Sequence, residues 1–135
     1  MLAAKSLIAV IYNDAKRRKV DAGRWYDFYT AQYFTNSADL DIDHIVPLSN
    51  AHRSGAAHWT EGQRKIFAND INNLLVVDDA TNQSKSDKAP HEWLPPNKHY
   101  WCDYGKKWRA VKDKYGLRYE AEELRTLNEL KKTCQ

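Results

Sequence analysis

Two aspartates and a histidine lie close together in the stretch DLDIDHIVPLSN, residues 39–50, which otherwise has the apolar character of a strand. Asp41 and Asp43 are one strand period apart and therefore share a face of that strand, and His44 follows directly. Carboxylates bind hard divalent cations, and a histidine, which titrates near neutrality, can take a proton from water. These residues are therefore candidates for the hydrolysis of a phosphate ester.

An oxygen donor further along the chain completes this hypothesis. A hard ion such as Mg²⁺ usually keeps some of its waters and binds substrate oxygens. The protein therefore needs to contribute only a few ligands, for example one carboxylate and one carboxamide oxygen. Asp43 and Asn82 are candidates for these two ligands. His44 would activate the water, while the ion offsets charge on the leaving oxygen. The structural alternative stays open at this point, because an Asp-His pair at a strand end is commonly a turn or surface pair, and asparagine before a loop is ordinary turn chemistry.

The strands that would position these residues can be identified from residue types. Aromatic and β-branched residues in RWYDFYTAQYF, residues 24–34, predict a strand or hairpin. The stretch that carries His44 is the next strand and ends at Pro47. A second apolar run of strand length covers residues 71–79 and contains Asn73. The sequence therefore predicts two strands that can pair and bring their ends together.

Helix signals occur between and after these strands. Thr60 and Gln63 form a capping box that opens a helix through about Ala68. The polar segment DDATNQSKSDK has the character of a helix start and carries Asn82. A helix that follows the second strand and packs on the pair would place an oxygen ligand opposite the histidine.

Both ends of the chain are predicted to be helical. Apolar residues keep helical spacing over residues 3–19, and the closing basic run 16–19 is either a phosphate patch or a solvated helix end. Aromatic residues from Tyr100 to Tyr115 and leucines after Gly116 form two amphipathic stripes, which predict a C-terminal helical hairpin. We expect these aromatic rings in the core and not in contact with nucleobases.

Length and charge limit the class of protein. The 135 residues, 15.7 kDa, predict a single domain over 1–135. The net charge of +3 is compatible with a polyanionic partner but is far below that of a purely charge-driven binder. No apolar run approaches the length of a membrane span, and LIAVIY lacks a cleavage site, so we expect no membrane segment.

Three segments together resemble the HNH nuclease motif of the ββα-metal (His-Me finger) superfamily: DIDHIVPLS, the asparagine pair at 72–73, and TNQSKSD. The likeness is to the HNN version, in which asparagine replaces the last histidine. Small bacterial HNH endonucleases, many of them exported, are similar over most of the chain. Their pattern LDIDHVVPL, A-x-R-SG, W, FAND, NLL, N-x-x-K-x-D and W-x-PP corresponds to residues 40–48, 51–55, 59, 67–70, 73–75, 82–87 and 93–96.

This resemblance implies an α+β fold with a ββα-metal core and added helices, including the C-terminal helical hairpin. It places the general base at His44, the metal-binding carboxylate at Asp43 and the second metal ligand at Asn82. Asn73 takes the position of the asparagine that braces the loop and orients the histidine.

Three further residues receive less definite roles. Lys85 matches a basic position near the phosphates. Asp41 is either a support behind Asp43 or an alternative metal ligand, and Arg53 is either a phosphate clamp or a structural residue.

The implied activity is a metal-dependent endonuclease that cleaves DNA, with RNA as a further substrate, at low sequence specificity. Mg²⁺ is the expected cofactor and Mn²⁺ should substitute for it. Paired C-x-x-C motifs are absent from the sequence, so no structural zinc is expected. The alternative is a catalytically inactive nucleic-acid-binding or toxin-partner module with the same fold. An immunity or inhibitor protein is a further conceivable partner that the sequence does not identify.

The two cysteines bear on the compartment. Cys102 lies near the start of one helix of the predicted hairpin and Cys134 near the end of the other, and the two arms have similar lengths. A disulfide between them is geometrically reasonable and would persist only in an oxidising compartment. This favours a secreted or periplasmic protein, while two free thiols in a cytoplasmic protein are the alternative.

Overall fold

A computed structural model describes residues 6–7, 11–12 and 20–135 of the chain. The described residues form two antiparallel sheets and five α-helices, which confirms the predicted α+β class. The strands are β1 (Ile11–Tyr12), β2 (Val20–Asp27), β3 (Gln32–Asn36), β4 (Leu40–His44) and β5 (Leu74–Asp78). The helices are α1 (Leu48–Arg53), α2 (Glu61–Ala68), α3 (Asp79–Lys85), α4 (Trp101–Lys114) and α5 (Ala121–Lys131).

The first sheet has the order β1-β2-β3 and confirms the predicted hairpin, but it corrects the N-terminal prediction. The helix predicted over residues 3–19 is wrong where the structure describes it, because Ser6 and Leu7 are not helical and Ile11–Tyr12 pairs with β2. A short apolar run rich in β-branched residues suits a strand as well as a helix, and the edge of β2 was available to pair with it. The basic run 16–19 lies outside the described residues.

The turn between β2 and β3 is built around Asp27, a fully buried side chain. Its carboxylate accepts hydrogen bonds from the backbone N–H of Tyr29 at 3.0 Å and from the hydroxyl of Thr30 at 2.6 Å. An aspartate that bonds its own backbone two residues on is a common turn device. The consequence here is that the Tyr29 side chain is directed into the core with no exposure to solvent.

The second sheet consists of β4 and β5 alone, with His44 opposite Leu74 and Leu40 opposite Asp78. The strand predicted over residues 71–79 is shorter than expected, because residues Ile71–Asn73 form a 3₁₀ turn. Helix α3 follows β5 directly: the Asp78 side chain caps it by accepting from the backbone N–H of Thr81. Two antiparallel strands followed at once by a packed helix give the ββα order that the resemblance implies.

Local capping explains where the other helices begin. Thr60 and Gln63 form the predicted capping box at the start of α2. Glu120 and Glu123 form a second one at the start of α5. No helix among the described residues is both long and apolar enough to span a membrane.

The C-terminal hairpin of α4 and α5 is confirmed, and its apolar faces supply much of the core. Gly116, with a φ of 64°, lies between the helices in the left-handed conformation that glycine tolerates best. Tyr104, Trp108 and Leu127 are buried in the cluster that also contains residues next to His44. The aromatic stripe is therefore core, as predicted, whereas Leu124 lies at the surface.

A disulfide joins Cys102 at the start of α4 to Cys134 after α5, as predicted, with a Cα–Cα distance of 5.0 Å. The described residues contain no free cysteine. In the chain-entropy picture, closing a loop of this size stabilises the fold by about 3 to 4 kcal/mol.

Candidate functional site

His44 is held by a backbone carbonyl at the end of β4. Its Nε2 lies 2.8 Å from the carbonyl oxygen of Ala68, the last residue of α2, and the ring is half-buried. A carbonyl oxygen can only accept a hydrogen bond, so Nε2 must carry the proton. In the neutral ring, Nδ1 is then the nitrogen with a free lone pair. The local geometry therefore selects one tautomer and leaves one nitrogen to act as a base.

Asn73 braces the chain immediately after His44. Its side chain is fully buried: Oδ1 accepts from the Val46 N–H at 2.8 Å, and Nδ2 donates to the Val46 carbonyl at 3.0 Å. The Ile45 N–H donates to the Asn73 carbonyl at 2.9 Å. An amide side chain that pairs with both polar groups of one residue fixes that backbone. Asn73 thus holds the loop after the histidine, although it does not contact the imidazole.

Asp70 supports the turn that carries Asn73, a role that was not predicted from the sequence. Its carboxylate accepts from the Asn72 N–H at 2.9 Å, from Lys114 Nζ at 2.7 Å and from the Tyr115 hydroxyl at 2.5 Å. The hydrogen bonds from Lys114 and then Tyr115 lower the pKa of Asp70 to about 2. An aspartate just before a short polar turn is a typical cap and was the available signal.

Asp43 lies beneath the strand surface, in contact with Lys85 and Tyr29. Lys85 Nζ is 3.2 Å from Oδ1 and 3.1 Å from Oδ2, and the Tyr29 hydroxyl donates to Oδ2 at 2.6 Å. Asp43 is 5% exposed and Lys85 is 0% exposed. Both carboxylate oxygens are therefore engaged by partners inside the protein. Tyr29 comes from a distant hairpin, and no sequence signal linked it to Asp43.

Lys85 also binds the backbone at the end of β4. Its ammonium donates to the carbonyl oxygens of His44 and Ile45, each at 3.0 Å. Burial raises the pKa of Asp43 and lowers the pKa of Lys85, while the opposite charge of each partner works against these shifts. The structure thus places Lys85 inside the protein, where it joins α3 to the end of β4.

Asp41 and Asn82 meet at the surface on the same side of β4. Asn82 Nδ2 donates to Asp41 Oδ2 at 2.7 Å. Asp41 and Asp43 alternate to one face of the strand, and Asn82 and Lys85 lie three positions apart on one face of α3, so the two contacts run side by side. The structure therefore brings Asn82 to Asp41, and not to Asp43.

The oxygen donors at this surface fit a hard cation that keeps part of its water shell. Among the described residues, no group of three or more His, Cys, Asp or Glu side chains could hold a metal ion. An ion would therefore be bound by Asn82, one β4 carboxylate, water and substrate oxygens. Asp41 is exposed and accepts from the Ile42 N–H at 2.9 Å and from Asn82 Nδ2 at 2.7 Å, so Asn82 would have to turn its amide oxygen towards the ion. Asp43 would have to leave the buried Lys85 and Tyr29.

Arg53 and the other four histidines form no hydrogen bond with Asp41 or Asn82 in the described part of the chain. Arg53 ends α1 with its side chain half exposed, 3.6 Å from Asp87 Oδ2. It is free to reorient towards a phosphate, since an exposed ion pair of this kind contributes little. His52, His58 and His99 are exposed, and His91 is half-buried and lies 3.7 Å from Glu120. Within the described part of the chain, none of these histidines forms a hydrogen bond with His44 or with the Ala68 carbonyl.

Sequence comparisons identify proteins that are similar to this chain. Residues 2–129 match the profile of the C-terminal domain of GmrSD restriction endonucleases. A protein of Arthroderma benhamiae, named an uncharacterized secreted protein, is 45% identical over 115 residues, which are 84% of this chain and 56% of the relative. The chain thus spans little more than half the length of this curated relative. No solved structure matches the chain.

Proposed function

Because this chain belongs to the family of the C-terminal domain of GmrSD restriction endonucleases, and so to a nuclease-type family, we propose that it is an HNH endonuclease of the HNN type. It hydrolyses phosphodiester bonds in DNA, and RNA is the alternative substrate. The chemistry is directed at phosphates, which carry no base information, so sequence specificity is low.

The observation that carries this proposal is the contact of His44 Nε2 with the Ala68 carbonyl oxygen, 2.8 Å away. With Nε2–H donating to the Ala68 carbonyl, Nδ1 is the atom that accepts a proton from the attacking water. The water oxygen then bonds to phosphorus, the bond to the O3′ leaving oxygen breaks, and O3′ takes a proton from solvent water. This step leaves 5′-phosphate and 3′-hydroxyl ends, as the family resemblance implies. Asn73 keeps the backbone beyond His44 in place while the ring gains its charge.

The cofactor we propose is Mg²⁺, with Mn²⁺ able to substitute. Asn82 and a carboxylate of β4 would hold the ion, which supplies positive charge to stabilise the leaving oxygen. The contact with Asn82 favours Asp41 as that carboxylate, and the family resemblance favours Asp43. Lys85 and Arg53 have different parts in this proposal: Lys85 fixes the end of β4 from inside, and Arg53 can reach an outer phosphate.

We further propose that the protein is exported to an oxidising compartment. The disulfide between Cys102 and Cys134 and the secreted relative both support this location.

Metal dependence tests the proposed function. Incubation of supercoiled plasmid with the protein and Mg²⁺ should give nicked and linear products, excess chelator should abolish them, and added Mn²⁺ should restore them. The reason is that the protein contributes too few ligands to hold a hard ion against a chelator. Agarose gels provide the measurement. Full cleavage in excess chelator would contradict the mechanism, and nucleic-acid binding without cleavage under any of these conditions would point to the inactive module.

Matched substitutions can identify which aspartate of β4 is the metal ligand. Asn82→Ala should weaken Mn²⁺ binding at least about tenfold, by analogy with the loss of groups that support metal sites. Asp41→Asn should do the same if Asp41 is the carboxylate ligand, and Asp43→Asn if Asp43 is. Electron paramagnetic resonance of free Mn²⁺, in the presence of an oligonucleotide, reports this affinity. Asp39→Asn changes an exposed acid just before β4 and serves as the control. An equal loss of Mn²⁺ affinity in this variant would show that the losses in the other variants are not specific to a metal ligand.

A further inference from the structure

An open groove lies between α1, the 3₁₀ turn Ala56–His58 and α2 and reaches Ala68 at the end of α2. It encloses about 530 Å³, inside the range of roughly 300–1,000 Å³ that is typical of small-ligand sites. Its floor is mainly apolar and includes Leu48, Trp59 and Phe67. None of the catalytic roles proposed above uses this groove.

Its aromatic and aliphatic surface is partly open to solvent. Leu48 is 47% exposed, and Trp59 is half-buried against the core. The Trp59 ring is held by an edge contact with Phe67 at 5.7 Å and by Tyr115 at 5.6 Å. A large aromatic side chain that is fixed from behind and lines an open groove is suited to contact a flat apolar ligand.

The rim of the groove is predominantly basic. Arg64 and Lys65 on α2 and His52 on α1 line it, against the single acid Glu61. Neither Arg64 nor Lys65 forms an ion pair within the described parts of the chain. Two uncompensated cations above an aromatic floor match a ligand that has a flat ring and a phosphate, which is the composition of a nucleotide.

Ala68 connects the groove to the proposed catalytic histidine. It lines the groove, and its carbonyl oxygen is the atom that holds His44 Nε2. A nucleotide in the groove is therefore separated from the His44 ring by Ala68, on the Nε2 side of that ring.

We propose that this groove binds the base and sugar of one unpaired nucleotide of the strand that is cleaved, with Arg64 and Lys65 on the adjoining phosphate. This inference rests on the proposed nuclease function and specifies its substrate class. A base in a duplex has its faces stacked and its edge paired, so it cannot enter, and the protein should favour single-stranded or locally unpaired nucleic acid. Every base has a flat face for Trp59, so preference among bases should be small.

Binding without cleavage tests the groove directly. The probe is a fluorescent single-stranded oligonucleotide of mixed sequence, compared with its duplex, in excess chelator, and a denaturing gel verifies that both stay intact. We expect tighter anisotropy-measured binding of the single strand. Trp59→Ala should weaken single-strand binding roughly 5- to 150-fold, the equivalent of one stacking contact, and Trp59→Phe should retain most of it. Duplex binding should change only a few-fold.

Surface variants keep the test valid if Trp59→Ala does not fold. Leu48→Glu places an acid in the groove at an exposed position and should weaken single-strand binding, whereas Leu124→Glu makes the same change at the surface of α5 and should not. Equal binding by Leu48→Glu and Leu124→Glu, or no preference of the wild-type protein for the single strand, would overturn the groove proposal. These binding results do not depend on turnover, so they separate failure of the groove from failure of the proposed activity.

Discussion

His44→Ala is expected to slow DNA cleavage by roughly 10²- to 10⁴-fold, the usual effect of removing a positioned general base. Nδ1 of His44 is the nitrogen left to accept a proton once Nε2 donates to the Ala68 carbonyl. Substrate affinity should change little, because the oxygen donors and the basic side chains stay in place, so the loss should appear in the chemical step. Single-turnover cleavage under saturating protein measures that step.

Two comparisons make this prediction specific. The wild-type rate should fall on acidification, because only the neutral ring can accept a proton, and this pH dependence should disappear in His44→Ala. His99→Ala removes an exposed histidine at the 3₁₀ turn Lys98–Tyr100 and should cleave like the wild type. If His44→Ala protein with a native circular dichroism spectrum cleaved within a few-fold of wild type, the base would have to be another residue.

Lys85→Met is expected to lower the free energy of unfolding by about 3 to 5 kcal/mol, the typical cost of leaving a buried charge without its partner. Methionine replaces the length of the lysine chain but not its ammonium. Asp43 would keep only the Tyr29 hydroxyl, and the carbonyls of His44 and Ile45 would lose their donor. Denaturant unfolding followed by circular dichroism measures the change.

A double substitution identifies the buried charge as the cause. Lys85→Met combined with Asp43→Asn should be more stable than Lys85→Met alone, because the amide removes the uncompensated charge and can still accept from Tyr29. Lys88→Met, at an exposed position just after α3, should have little effect. A double variant less stable than Lys85→Met would show that the ion pair is not what the lysine provides.

The pH dependence of the same variant has a defined sign. Burial already raises the pKa of Asp43, and without Lys85 the influence that lowers it most is lost. The folded carboxyl then binds its proton more tightly than the unfolded one, whose pKa is about 3.9. Stability relative to wild type is therefore lost as the pH rises from about 4 through the folded pKa, and the penalty should be smaller in acid.

Local signals in the sequence were sufficient for much of the fold. The capping box of Thr60 and Gln63, the helix start at Asp78 and the glycine between α4 and α5 act within a few residues of their own position. For the same reason the hairpin and its disulfide could be predicted, since two helices of similar length joined by a short turn bring their outer ends together.

The sequence could also indicate which residues gather at the site. Alternation along β4 places Asp41 and Asp43 on one face, and the spacing of Asn82 and Lys85 gives α3 a matching face. These periods do not depend on the rest of the molecule. The two periods do not determine which of the two aspartates contacts Asn82 and which contacts Lys85.

Tertiary packing decided the rest, because those contacts depend on groups far apart in the chain. The seating of α3 on β4 pairs Asn82 with Asp41 and buries Lys85 against Asp43. The β2–β3 turn brings Tyr29 to the same carboxylate, and the edge of β2 draws Ile11–Tyr12 into a strand. Residue spacing thus determined which chemical groups come together. The packing of separate elements determined which of them are buried partners and which stay exposed, because burial and pairing are properties of surfaces in contact.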